Sequence, residues 1–233
     1  MGLKEKKVSV LIPYKENNDK HREFLWSIVK MRYEILMPDV EICLGVDTSQ
    51  IYNRSKAVNK AARKANGDIF IITDADVVFS KDLIRKITDA IEEYPWVVPF
   101  TRGMKLNKTA TERLLMDGIP EEIHAQETDA DCVITTAGPL MNAVSRENFE
   151  KIRGMDERFK GWGGEDDAMR ISLDTLCGSH YRITGDILHL WHPPAVVYRD
   201  YYIDNIHLLK RYMEASGNIG LMQSIINEKE IMT

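Results

Sequence analysis

The sequence predicts one α/β domain built on a mostly parallel central sheet with helices on both faces. Three observations carry this. Short apolar runs alternate with helix-periodic stretches through residues 8–100, the pattern of βαβ units. No internal repeat, low-complexity segment or linker divides the chain. A length of 233 residues with 44% hydrophobic and 29% charged residues is that of an ordinary globular domain able to bury a core.

VSVLIP (8–13) is an apolar run closed by proline and reads as a buried strand. The helix after it places Phe24, Leu25, Ile28 and Val29 on one face, with Asn18 or Asp19 as N-cap. VEICLGVD (40–47) is a second strand. RSKAVNKAARKANG (54–67) puts Ala57, Val58, Ala61, Ala62 and Ala65 on one helical face and stops at Gly67, read as the left-handed residue after the helix. DIFIITDAD (68–76) is a third strand ending in acids, SKDLIRKITDAIEEY (80–94) is a helix stopped by Pro95, and WVVPF (96–100) is a fourth strand. Residues 101–130 are polar and weakly periodic, and read as a long substrate loop or lid with at most a short helix around Glu112 to Met116. CVITTAG (132–138) and YRITGDILHLW (181–191) read as strands, with helices at 145–153 and 164–177. The tail from Asp200 is helical, with Tyr202, Ile206, Leu209 and Met213 at helical spacing.

A formal net charge of −5 argues against wholesale nucleic-acid binding, although a local basic patch is compatible with it. Cys43, Cys132 and Cys177 are odd in number and lack a CxxC spacing, so they read as buried thiols in a reducing compartment. MGLKEKKVSVLIP offers too short an apolar run for a signal peptide or a membrane span and lacks the hydroxyl residue of a myristoylation signal. The expectation is a cytoplasmic protein.

Asp74-Ala75-Asp76 follows IFIIT. In extended backbone residues two apart point to one side, so both carboxylates can converge beyond the carboxyl end of the sheet, where open α/β sheets bind ligands. Such hard oxygen ligands suit magnesium or manganese. The plainer reading has one acid capping a turn and the other solvated. The first βα junction, IPYKENN, has neither GxGxxG nor GxxxxGK[ST], which disfavours dinucleotide and P-loop chemistry. Arg54 and Lys56 stand at a helix N-terminus and could form an anion site there, or lie on a solvated basic face. His189 and His192, three apart in LHLWHPP, could join a divalent ion held by Asp76, or be structural.

The order of these segments resembles metal-dependent glycosyltransferases of the GT-A fold, in particular the β-1,4-galactosyltransferases and the portion shared with polypeptide N-acetylgalactosaminyltransferases and bacterial chondroitin-type polymerases. VSVLIPY, YNRSKAVNKA, TDADVVF and AGPLMNAVSRENFEKIRGMDERFKGWGGEDDAMRISL carry the resemblance, which runs from about residue 8 to 195, with WGGEDD as its most specific part. It implies a UDP-sugar donor held by Pro13, Tyr14, Lys15, Asp47, Arg54, Lys56, Asp74 and Ala75. It further implies Mn2+ or Mg2+ on Asp76, with Asp74 at the ribose or sharing the metal, and with His192 favoured over His189 as a further ligand. Asp166 would be the general base of an inverting displacement. Gly138, Trp162, Gly163, Gly164, Glu165 and Asp167 would shape the acceptor and sugar pocket. Two departures stand beside the resemblance: Ala168 replaces a further Asp of the galactosyltransferases, which leaves the acceptor's identity open, and the lack of their membrane anchor and stem points to a microbial or viral cytoplasmic enzyme.

The resemblance divides 1–233 into a nucleotide-sugar and metal half (8–100), an acceptor half (101–197) and a helical tail (198–233). The expected reaction moves a hexose or N-acetylhexosamine from UDP to a hydroxyl. Three alternatives stand beside it: a retaining transferase of the same fold, a non-catalytic sugar-binding module, and a nucleotidyltransferase. The acceptor stays open among polysaccharide, protein, lipid carrier and modified DNA base, as does the oligomeric state.

Overall fold

The computed structural model describes residues 6–16, 19–124, 126–194 and 197–229. Its larger sheet has six strands in the order β2 (Glu41–Asp47), β1 (Val8–Lys15), β3 (Ile69–Thr73), β8 (Met141–Ser145), β5 (Trp96–Val98) and β9 (Tyr181–Arg182). β1 runs parallel to β2 and β3, and β5 runs parallel to β9. β8 is antiparallel to both its neighbours, β3 and β5. Every residue from Val8 to Pro13 is buried, and successive residues of a strand face opposite sides, so both faces of β1 are covered.

A second sheet of four strands, β4 (Val77–Phe79), β10 (Asp186–His189), β6 (Arg102–Leu106) and β7 (Ala130–Ile134), departs from the sequence reading. Residues 68–76 are not one strand. β3 ends at Thr73, a turn closes from the Val77 N–H to the Asp74 carbonyl at 3.3 Å, and the chain re-enters as β4 in the other sheet. Residues 181–191 likewise split at Gly185, whose φ of +155° lies in the range that favours glycine. The stretch 101–130 is not one open loop. It supplies β6 and the helix α4 (Lys108–Asp117), whose N-terminus is capped by Asn107 Oδ1 on the Ala110 N–H at 2.8 Å.

The helix α1 (Lys20–Leu36) is capped by Asp19, which accepts from the His21 and Arg22 N–H groups; Asn18 lies outside the described residues. The helix α2 (Arg54–Lys64) packs on β1 and β2 and is capped by Asn53. Gly67 is not its left-handed terminator. The helix ends in extended backbone at Ala65, and Gly67 is small because a Cβ there would come 2.5 Å from Ser9 Oγ. The helices α3 (Leu83–Ile91) and α5 (Arg146–Lys151) cover β8.

The helix α6 (Glu165–Leu176) is covered by α7 (Arg199–Glu214) and α8 (Ile219–Asn227), so the tail is part of the packed domain. Tyr212, Met222 and Ile226 are its fully buried side chains. Cys43 is buried, Cys177 half-buried and Cys132 exposed, so the expectation of three buried thiols fails at Cys132, on the partly exposed edge strand β7. Among the described residues no helix is long and apolar enough to cross a membrane.

Candidate active site

Antiparallel pairing of β10 with β4 sets His189 opposite Val77 and therefore beside Asp76. The Leu190 N–H donates to the Asp76 carbonyl at 2.9 Å, which fixes where the chain leaves β10. Two further contacts hold the next residues: the Trp191 N–H donates to Thr111 Oγ1 at 2.9 Å, and His21 Nε2 lies 3.0 Å from the Trp191 carbonyl. The result brings His189 Nε2 to 3.4 Å from Asp76 Oδ1 and His192 Nε2 to 3.3 Å from Asp76 Oδ2.

Asp76 is 7% exposed, and its Oδ1 has no hydrogen-bond partner among the described residues. A buried carboxylate oxygen left so is costly unless something else binds it. One ligand atom from each of Asp76, His189 and His192 lies within 4.8 Å of the others, a donor set that fits a divalent cation. Burial, aided by Arg22 and His189, holds the His192 imidazole below its ordinary value against the pull of Asp76. The neutral form that a metal needs is thereby favoured.

Asp74 does not join this group. Its Oδ1 accepts from Arg54 Nε at 3.1 Å and Nη2 at 2.9 Å, while Arg54 Nη1 donates to Asp166 Oδ1 at 2.6 Å. The turn after Thr73 sends the two acids of the tripeptide apart, which extended backbone would not do. Arg54 thus forks between β3 and α6. Although burial opposes it, Arg54 stays firmly charged beside Asp166 and Asp74. Asp74, despite burial, is held below its ordinary range by Arg54.

Three carboxylates crowd this one guanidinium. Burial, reinforced by Glu165, Asp74 and Asp167, pushes Asp166 up to about 8 in spite of Arg54. Glu165, almost wholly buried, is raised for the same leading reason. Both head α6, where the helix dipole favours negative charge.

The loop before α6 needs its glycines. Gly163 and Gly164 have φ of +103° and +94°, and a Cβ on Gly164 would come 2.8 Å from Phe159. Asn205 of α7 clamps the loop: its Oδ1 accepts from the Lys160 N–H, and its Nδ2 donates to the Lys160 and Trp162 carbonyls. Trp162 is left 57% exposed and stacks on Tyr202 at 5.9 Å between ring centroids, with planes 22° apart. Gly138, at φ +119°, lies against the Asp166 backbone, and Asp167 faces Arg170 at 3.6 Å.

The remaining sequence-predicted residues are spread more widely. Parallel register sets Lys15 opposite Asp47 at the carboxyl ends of β1 and β2, next to Pro13 and Tyr14. Asp47 is committed within its own loop, accepting from Ser49 Oγ at 2.8 Å and from the Asn53 N–H at 2.9 Å. Ala75 occupies the turn between the two acids. Lys56 lines a separate cavity of about 680 Å³ with Asn59, Arg158, Lys160 and Lys229, and none of Asp74, Asp76, His189 or His192 borders it. Sequence reasoning missed Arg22, Thr111 and Asn205; each acts through a contact distant in sequence, and none sits in a recognisable pattern.

Residues 46–152 match the family described as Glycosyl transferase family 2, and residues 133–193 match the one described as N-terminal domain of galactosyltransferase. Beta-1,4-galactosyltransferase 4 of Cricetulus griseus is 26% identical over 173 residues, covering 72% of this chain and 42% of that protein. The protein of the same name from Homo sapiens is 26% identical over 175 residues, with 72% and 42% covered. The chain therefore spans less than half the length of the curated relatives it matches. Glucosyl-3-phosphoglycerate synthase from Mycobacterium tuberculosis, solved with Mn2+, UDP-glucose and phosphoglyceric acid, aligns with a TM-score of 0.52 at 13% identity, covering 92% of this chain and 80% of that one. The catalytic domain of Drosophila beta-1,4-galactosyltransferase 7 with xylobiose aligns at 0.45 and 17% identity, covering 77% and 64%.

Proposed function

We propose that this chain, a GT-A-fold relative of the β-1,4-galactosyltransferases, moves a hexose or N-acetylhexosamine from a UDP-sugar to an acceptor hydroxyl. The observation that carries the reading is the buried Asp76 carboxylate, one oxygen orphaned and each facing an imidazole, within one tripeptide of the Arg54–Asp166 pair. A sugar-binding module needs no such cation group beside a proton-holding carboxyl. The mixed oxygen and nitrogen donors favour Mn2+ over Mg2+, which prefers oxygen ligands and retained water.

Asp76, His189 and His192 would hold the cation, which when bound neutralises charge on the departing diphosphate. Asp74 belongs to the base side of the site, and Arg54 is a clamp on two acids, not a free phosphate ligand. Asp166, aimed by Arg54, accepts the hydroxyl proton, and its raised proton affinity suits that task. Trp162 and Tyr202 offer the acceptor an aromatic face. The sequence halves interleave on this reading: His189 and His192 come from 101–197 to the donor side, while Arg54 comes from 8–100 to the base. Three unpaired cysteines suit a reducing compartment, so a cytoplasmic location belongs to the reading.

The test is Asp166→Asn. Transfer is expected to fall about 10²–10⁴-fold, while Mn2+ and UDP-sugar still bind by calorimetry. Fresh product should show inverted anomeric configuration by NMR. Retained transfer in the variant would remove Asp166 as base, and failure of the unaltered protein to bind any UDP-sugar with Mn2+ would remove the donor assignment.

A further inference from the structure

On the donor reading, Arg54 is committed to Asp74 and Asp166 and Lys56 lines another cavity, which leaves Lys15, at the carboxyl end of β1, as the one basic residue of the expected donor set not so placed. Arg22, on the first turn of α1, is placed differently. Its Nη2 lies 2.9 Å from His192 Nδ1 and 3.4 Å from His192 Nε2, and its Nε faces Asp19 at 3.7 Å. A guanidinium has five N–H donors, so most of this one's hydrogen-bonding capacity is unused by those contacts.

His192 Nδ1 has two claimants. It is 2.7 Å from the Pro193 carbonyl as well as 2.9 Å from Arg22. A neutral imidazole that turns its Nε2 lone pair toward a cation beside Asp76 must carry its proton on Nδ1. That Nδ1–H can donate to Pro193. In that tautomer His192 Nδ1 is no acceptor for Arg22, and the guanidinium stands at the rim of the site with most of its donors unspent. Charge points the same way: a divalent ion and Arg22 against Asp76 and Asp19 leave this corner net positive, a state completed by an anion.

We propose that Arg22 is a ligand for the donor diphosphate, reached from the rim of the cation group. This rests on the UDP-sugar reading of the same site. A planar fork of donors matches phosphate oxygens, and it would hold the nucleoside diphosphate both in the donor complex and as the departing group.

Calorimetric titration of the full chain and of Arg22→Gln and Arg22→Lys, with Mn2+ alone and then with UDP or uridine in saturating Mn2+, tests this. Arg22→Gln should bind uridine as the unaltered protein does and Mn2+ at least as tightly, but lose roughly ten- to hundredfold in UDP affinity. Its log affinity for UDP should also fall less steeply with added salt. Arg22→Lys, which keeps the charge and loses the fork, should fall between and provides the reading if the Gln variant does not fold. Equal UDP affinity across the three proteins overturns the assignment. A UDP loss matched by an equal loss of Mn2+ affinity also overturns it, since Arg22 would then only prop His192. If the unaltered protein binds Mn2+ but no UDP, the donor reading itself fails, a result distinct from either.

Discussion

On the proposed reading, Asp166 must give up its own proton before it can take one from an acceptor. Burial among Glu165, Asp74 and Asp167 pushes it up to about 8, so the base-competent form grows as pH rises through that value. The predicted kcat/KM for transfer climbs with pH and levels off above about 8, and the residual rate of Asp166→Asn lacks that bend; a pH–rate profile at saturating Mn2+ measures both. Arg54 is the counterpart. Arg54→Met leaves Asp74 and Asp166 without their shared cation and is expected to cost about 3 kcal/mol near neutral pH, allowing for the partial exposure of Asp74. The cost should shrink at pH 5, where carboxyls can protonate, and urea unfolding at the two pH values checks it.

At the scale of elements, the cation group is set by α4 and by the β4–β10 pairing. Thr111→Val leaves the Trp191 N–H, one residue before His192, without its acceptor and is expected to weaken Mn2+ binding about tenfold by calorimetry. What was legible in the sequence follows from length and period. β1, β2, β3 and the helices α1, α2, α3 and α6 are long or strongly patterned, and Asp19 announces its cap. The second sheet was hidden because β4 and β10 have three and four residues, too short to show a period, and β6 reads RGMKL, whose two charges fall on opposite faces and break the alternation. The candidate residues were legible as a set, but their partnerships were not. Nothing local says that Asp74 turns to Arg54 while Asp76 turns to two histidines, because the turn between them is stabilised by strands distant in sequence. Tyr202 lay at a recognisable helical spacing, yet its stacking on Trp162 depends on how α7 closes over α6.

For the whole molecule, two buried groups tilt stability in opposite directions. Asp166 is raised above its unfolded value, so its contribution is full at low pH and is lost as pH climbs from about 4 through about 8. Lys229 is buried, donates to the Ile152 and Gly154 carbonyls at 2.9 Å, and is pushed down to about 7. Its contribution is present above the ordinary lysine value and lost as pH falls through about 7. These two terms predict a shallow minimum in melting temperature near pH 7 to 8. Asp166→Asn should flatten the acid-side arm and Lys229→Met the alkaline one, both read by thermal scans across pH. The tripeptide between the sheets has a different kind of consequence. Asp74 answers to the six-stranded sheet through Arg54, and Asp76 answers to the four-stranded sheet through β10. On the proposed reading Ala75 is therefore a ruler, one residue long, between the side of the site where a bond would form and the side where one would break.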